Sequence, residues 1–324
     1  MSAEEYDNIQ DIHDILMKSI TKEKCDELLL NDYTIIDNFL GDDFSKQLLN
    51  ELKLLTLSGK MIPNRTSFIN MKTKKPEIYN KPGIFEVDLH DETIRLTMKK
   101  MNELYIVSRT LLIEVLMKYL GENMTLLSGD NARTLKLQWN EGTGGCFPYH
   151  YDNPGAPNNR CLTCILYLNL NWKTSDGGEL TLQPFLQQKI HIEPLFDRLV
   201  IFKSNLMLHR VEKTFNERYC LTLWLDGGST NSSENSELKL PKTAIEEIEK
   251  TVKYLQKSAV SRSLSRCVYK EEYEESIYDC MENASGCEEK IESHLLHCKS
   301  MENNNQLLKN LIEALRAWRI TNDC

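Results

Sequence analysis

Cys161-Leu-Thr-Cys-Ile-Leu-Tyr-Leu-Asn-Leu170 and Tyr219-Cys-Leu-Thr-Leu-Trp-Leu225 are the runs on which the fold reading turns. Both are short and rich in the apolar, aromatic and β-branched residues that fill strands. Successive side chains of an extended segment point to opposite faces. The first run therefore sets Thr163 and Tyr167 against Leu162, Cys164, Leu166 and Leu168. The second, begun one residue earlier, sets Arg218, Cys220, Thr222 and Trp224 against Tyr219, Leu221, Leu223 and Leu225. The face carrying the polar groups is expected to line a pocket, and the other to pack on a core.

Strand character recurs at 134–139, 180–182, 189–192 and 198–202, with turn residues between. Upstream the period is helical. Ile9, Ile12, Ile15 and Leu16 share a face within 1–30, a short strand is expected at 33–36, and Leu48, Leu49, Leu52 and Leu55 mark a helix closed by Gly59. Residues 60–91, rich in Lys, Pro and Asn, read as loop with one strand at 84–87, and 91–119 as one or two long helices. Helices followed by many short strands predict an α+β fold, a β-barrel or sandwich braced by N-terminal helices.

The run Gly-Gly-Ser-Thr-Asn-Ser-Ser-Glu-Asn-Ser-Glu at 227–237 has the composition of a linker, here placed at 227–240. It separates a unit at 31–226, with its core at 132–226, from a helical region at 241–324 of two or three helices broken near Gly286. In that region Cys280, Cys287, His294 and Met301 repeat every seven residues, the mark of a packing seam.

The net charge of -9 supplies no basic field, which argues against nucleic acid as a partner. No apolar run is long enough to span a membrane and no secretory signal is visible, so a cytoplasmic or nuclear location is expected. In that reducing setting the ten cysteines are expected as free thiols, buried side chains or ligands rather than as a disulfide framework.

His150 and Asp152 stand two apart in Phe147-Pro-Tyr-His-Tyr-Asp-Asn-Pro154, so on an extended chain both point to the same side. A lone His-x-Asp is weak. His209 after the strand at 198–202, and Arg218 nine residues beyond it, complete a larger pattern. Two histidines and one carboxylate on one face of an octahedron leave three positions open, the arrangement of non-haem iron(II) sites that take a chelating cosubstrate and dioxygen. Arg218 would pair with the far carboxylate of 2-oxoglutarate, a planar fork against a planar anion.

The stretches His150-Tyr-Asp-Asn-Pro154, Arg160-Cys-Leu-Thr-Cys-Ile-Leu-Tyr-Leu-Asn169, Gly177-Gly178, Ile192-Glu-Pro-Leu-Phe-Asp-Arg-Leu199 and Arg218-Tyr-Cys-Leu-Thr-Leu-Trp224 resemble the prolyl 4-hydroxylase-like oxygenases, those acting on hypoxia-inducible factor above all. Ile36-Asp-Asn-Phe-Leu-Gly41 extends the resemblance upstream, so that it covers about 30–226. It implies a double-stranded β-helix, or jelly-roll, with iron held by His150, Asp152 and His209. It also implies that Arg218 and Tyr167 anchor 2-oxoglutarate, that Thr222 and Trp224 line the pocket, and that Arg160 lies near substrate. Gln138 stands where the family places a tyrosine beside the cosubstrate. The expected activity is peptidyl-proline hydroxylation with iron(II), 2-oxoglutarate and dioxygen, releasing succinate and carbon dioxide, with L-ascorbate as reductant. The expected partner is a protein or peptide substrate, with a helical partner at 241–324. Two alternatives are an oxygenase acting on another residue or a small molecule, and an inactive barrel whose C-terminal helices form an interaction module.

Overall fold

The computed structural model describes residues 3–228, 243–282 and 284–324, so most of the expected linker at 227–240 lies outside the described residues. Two helices, α1 (Ala3–Ser19) and α2 (Lys22–Asn31), lead into β1 (Tyr33–Ile36) and α3 (Asp42–Leu57). A hairpin follows, β2 (Ile62–Ile69) and β3 (Pro76–Asp88), then α4 (Glu92–Arg95), α5 (Lys99–Val107) and α6 (Leu111–Leu120). The rest of the barrel is β4 (Arg133–Asn140), β5 (Phe147–His150), β6 (Arg160–Tyr167), β7 (Leu180–Gln183), β8 (Ile190–Ile192), β9 (Arg198–Lys203), β10 (Leu208–Val211) and β11 (Arg218–Asp226).

The strands form two antiparallel sheets, a large one in the order β1-β9-β6-β11-β4-β3-β2 and a small one in the order β5-β10-β7-β8. This is the expected jelly-roll. Strand alternation sorts its cores. Leu162, Cys164, Leu166, Leu221, Leu223 and Leu225 pack outward against the N-terminal helices, with Leu16, Leu52 and Leu116 among their neighbours. Ile165, Tyr167 and Cys220 turn inward and meet Phe147, Leu180 and Val211 of the small sheet. The turn at Ile36–Gly41 is fixed from β9, because the buried Asp197 carboxylate accepts from the Leu40 and Gly41 amides at 2.9 and 2.7 Å and from Ser45 Oγ at 2.7 Å.

The structure departs from the sequence reading in several places. Residues 60–91 are a long hairpin rather than loop. Its strands are held by backbone pairing from Ile69↔Pro76 to Ile62↔Glu86, and the outer half is exposed on alternate residues, so no apolar stripe announces it. The segment 91–119 holds three helices. β10 was not foreseen because all four of its residues are buried, polar ones included, which removes the alternation.

The C-terminal region carries five helices among the described residues: α7 (Ile248–Gln256), α8 (Ser261–Val268), α9 (Lys270–Met281), α10 (Cys287–Asn304) and α11 (Gln306–Thr321). They pack on the small sheet, where Tyr149, Phe185, Leu186 and Leu208 join a core with Leu264, Tyr269, Tyr273 and Ile312. Polar contacts tie the same interface: the Tyr149 amide donates to Ser276 Oγ at 3.1 Å, and Arg210 pairs with Asp279 at 2.9 Å. The expectation of free thiols fails at one pair. Cys146, just before β5, and Cys280 of α9 form a disulfide, and the other eight cysteines form none. The two lie 134 residues apart in sequence, so spacing alone could not pair them.

Candidate functional site

β5 and β10 pair antiparallel with His209 directly opposite His150, so backbone register brings the two imidazoles together, ring centres 4.2 Å apart and planes tilted by 49°. His150 Nδ1 lies 2.8 Å from the Pro148 carbonyl and His209 Nδ1 3.1 Å from the Met207 carbonyl. Each contact keeps the proton on Nδ1 and leaves the Nε2 lone pair pointing inward. Asp152 follows the end of β5. Its Oδ1 lies 3.6 Å from His150 Nε2, and its Oδ2 3.6 Å from His209 Nε2. The three ligand atoms all lie within 4.8 Å of one another, an opening sized for a metal ion.

The protonation states suit such an ion. Burial raises the Asp152 carboxyl, but in the acid range where a carboxyl titrates the protonated His209, then the hydrogen bond and charge of protonated His150, outweigh it and hold the group well below the usual carboxylate range, so it is ionised near pH 7. Burial, then the His150 charge, lower His209 to about 4, so its imidazole is neutral near pH 7. Thr163 Oγ1 donates to Asp152 Oδ2 at 2.8 Å and lies 2.8 Å from Ser204 Oγ, which fixes the carboxylate's rotation. Strand alternation had placed Thr163 on the pocket side; its contact with Asp152, and the part of Ser204, needed the fold.

Next to this trio is a pocket lined by Gln138, Phe147, Leu180, Arg218, Cys220, Thr222 and Trp224, so the structure gathers the four β11 residues that alternation had set on one face. Arg218 Nε donates to the Gly178 carbonyl at 3.0 Å, and Nη1 to Cys220 Sγ at 3.4 Å. Cys220 Sγ in turn reaches Gln138 Oε1 at 3.5 Å. A side chain at Gly178 would meet Arg218 Cδ and Thr214 Oγ1 at 2.8 Å, and its φ of +79° also favours glycine. The Arg218 guanidinium sits 5.0 Å from the Tyr167 ring centre, and Arg160 lies 4.4 Å from that of Trp224 with Nη1 at 3.5 Å from the Asp152 carbonyl.

Two buried polar atoms here have no hydrogen-bond partner, Tyr167 Oη and Trp224 Nε1. Unpaired buried donors are costly, and a bound dicarboxylate next to Arg218 would give Tyr167 the acceptor it lacks. The donor set therefore fits an iron(II) ion with a chelating, anionic cosubstrate. Among the described residues no helix is long and apolar enough to cross a membrane.

Residues 135–226 match the family model described as the 2OG-Fe(II) oxygenase superfamily. A solved structure of prolyl 4-hydroxylases from Phytophthora capsici is similar at 40% identity, covering 95% of each chain with a TM-score of 0.80. Rat Egl nine homolog 1 is 30% identical over 196 residues, 59% of this chain and 54% of that protein, and the hypoxia-inducible factor prolyl hydroxylase of Caenorhabditis elegans is 28% identical over 202 residues, 59% of this chain and 26% of that protein. The chain thus spans about half the length, or less, of the first curated relatives it matches. A Trichoplax adhaerens prolyl hydroxylase, solved with a hypoxia inducible factor oxygen degradation domain peptide, shares the fold at 24% identity, with a TM-score of 0.50 over 70% of this chain and 94% of that one.

Proposed function

The chain belongs to the 2-oxoglutarate and iron(II) dependent oxygenases of prolyl 4-hydroxylase type, and on that premise we propose that it hydroxylates proline in a protein or peptide substrate. The observation that carries the reading is the facing pair His150 and His209 with Asp152 between their Nε2 atoms. These three hold the metal. Arg218 and Tyr167 receive the far carboxylate of 2-oxoglutarate, while Thr222, Trp224 and Gln138 shape the pocket around it.

Bound iron(II) and 2-oxoglutarate, with dioxygen, supply an oxidative decarboxylation that releases succinate and carbon dioxide and places one oxygen atom in a carbon–hydrogen bond. The chain's own part is geometric and electrostatic. Thr163 keeps Asp152 turned toward the metal position, and the backbone carbonyls of Pro148 and Met207 keep both imidazoles in the ligating tautomer. Phe147, Leu180 and Val211 make the pocket apolar, which excludes bulk water. Arg160, stacked on Trp224 at the same pocket, is placed to meet the substrate. L-ascorbate as reductant, a cytoplasmic or nuclear location, and an oxygenase unit spanning 31–226 belong to the same proposal.

The test is succinate release from 2-oxoglutarate by the iron-loaded protein in the presence of a proline peptide library. His209→Ala should abolish it; turnover persisting in the metal-loaded variant would refute the ligand assignment. An inactive scaffold would release none in the wild type either.

A further inference from the structure

Two cations beside this site lack an acidic partner. Lys81 of β3 holds its Nζ 3.9 Å from the ring centre of Phe147, which lines the metal pocket, and donates to Asn64 Oδ1 at 2.7 Å. Lys290 of α10 is 9% exposed and donates to Thr66 Oγ1 at 3.0 Å. Asn64 and Thr66 are two apart on β2, beside a break in its pairing with β3, and Lys290 is the charge that bears most on Lys81, so the two ammonium groups are neighbours at the seam between the hairpin and α10. Among the described residues neither lysine has a carboxylate within ion-pair distance; their polar partners are an amide oxygen and a hydroxyl.

The carboxylates that attract Lys81 at longer range are engaged elsewhere. Glu86 pairs with Lys136 at 2.6 Å and accepts from Asn64, and Asp152 faces the two histidines. Burial, then the charge of Lys290, push the Lys81 ammonium down to about 7; burial, then the charge of Arg266, push Lys290 down to about 8. Placing two like charges together, Lys290 buried and Lys81 half-buried, is unfavourable unless an anion joins them. That an acidic chain, net charge -9, leaves both without a carboxylate points to a ligand from outside.

We propose that Lys81 and Lys290 form a receptor for a carboxylate on the substrate, an Asp or Glu side chain flanking the residue that reacts. The proposal rests on the reading that a peptide enters the metal pocket. Phe147 is the shared wall: one ring faces the reacting centre and supports Lys81, so a side chain next to the reacting residue falls within reach. A carboxylate has two oxygens, one for each ammonium group, and it replaces water that the seam already restricts. The lysines therefore act as specificity-determining residues, outside the machinery that binds metal and cosubstrate.

The test uses the full chain loaded with manganese(II) and N-oxalylglycine, and follows fluorescence anisotropy of labelled peptides. The central residue is Pro or Ala, and the flanking position carries Glu, phosphoserine, Ala or Lys. Wild type should bind the Glu peptide about ten-fold more tightly than the Ala peptide. Lys81→Met and Lys290→Met should remove most of that preference, Lys81→Arg should keep it, and Lys81→Glu should turn it toward the Lys peptide. Thermal melts separate this from a structural role, since Lys81→Met, by removing one of two mutually repelling charges, should leave Tm unchanged or higher.

Indifference of the wild type to Glu against Ala, or an undiminished preference in both methionine variants, would overturn the receptor. So would a lowered Tm with the preference intact, and phosphoserine preferred over Glu would overturn the carboxylate in favour of a phosphopeptide. Indifference to Pro against Ala at the centre, with the Glu preference present, supports the receptor and counts against the prolyl reading alone.

Discussion

Thr163 shows how much of the site depends on one hydroxyl. It donates to Asp152 Oδ2 from β6 of the large sheet, and without it the carboxylate is free to rotate off the metal position. Thr163→Val should weaken iron(II) binding roughly 10- to 100-fold, read by anaerobic metal titration, with the fold unchanged by circular dichroism. Unchanged affinity would leave Thr163 a packing residue. Gly178→Ala acts on the other end of the pocket, where the added methyl meets Arg218 Cδ. It should raise KM for 2-oxoglutarate more than it lowers kcat at saturation, because it misplaces a binding group rather than a metal ligand. His150, Asp152, Arg218 and the pocket face of β11 could be read from parity and spacing, both local properties of a chain. Thr163 with Asp152, Ser204 with Thr163 and Gly178 with Arg218 could not, since each contact joins segments whose proximity only the barrel creates.

The same division holds for elements. β6, β9 and β11 declare themselves because one face is apolar and packed on the N-terminal helices. β10 hides because its outward-facing polar residue is buried too, Arg210 by its pairs with Asp279 and Glu212. The β2–β3 hairpin hides for the opposite reason, having too little buried on either face. The Cys146–Cys280 bond fastens α9 to the approach to His150. Replacing both cysteines by serine should cost about 2–4 kcal/mol, read as a lower denaturant midpoint, because so long a closed loop strongly restricts the unfolded chain. Reduction of the wild type should lower its midpoint likewise and leave the double variant untouched; equal midpoints with and without reductant would mean the bond contributes nothing to stability.

His297 gives the C-terminal helices a pH dependence of known sign. Burial, then the charges of Arg266 and His294, lower it to about 4. Between there and the ordinary 6.5 the unfolded chain takes up a proton that the folded one refuses, so stability is lost as pH falls through that window. Melts should move to lower temperature between pH 7 and pH 5, and His297→Gln should lessen the shift; an identical shift in the variant would assign the effect to other groups.

Taken whole, the molecule covers its barrel on two sides. The N-terminal helices seal the large sheet, and the C-terminal helices seal the small sheet behind the strands that carry both histidines. The composition of 227–240 reads as a boundary, yet Tyr149, Phe185 and Leu208 lie under the helices beyond it. A chain ending at residue 240 should therefore expose this apolar face, aggregate and lose 2-oxoglutarate turnover. A soluble, active truncation would make 31–226 self-sufficient and the helices an accessory.

The central claim is that this iron site oxidises proline in a peptide, and mass spectrometry of the products tests it most directly. The iron-loaded enzyme, given 2-oxoglutarate, ascorbate and proline peptides in air, should add the mass of one oxygen atom to proline with one succinate per modified residue, and His209→Ala should add none. Oxygen placed on another residue, or succinate formed with no modified peptide, would contradict it.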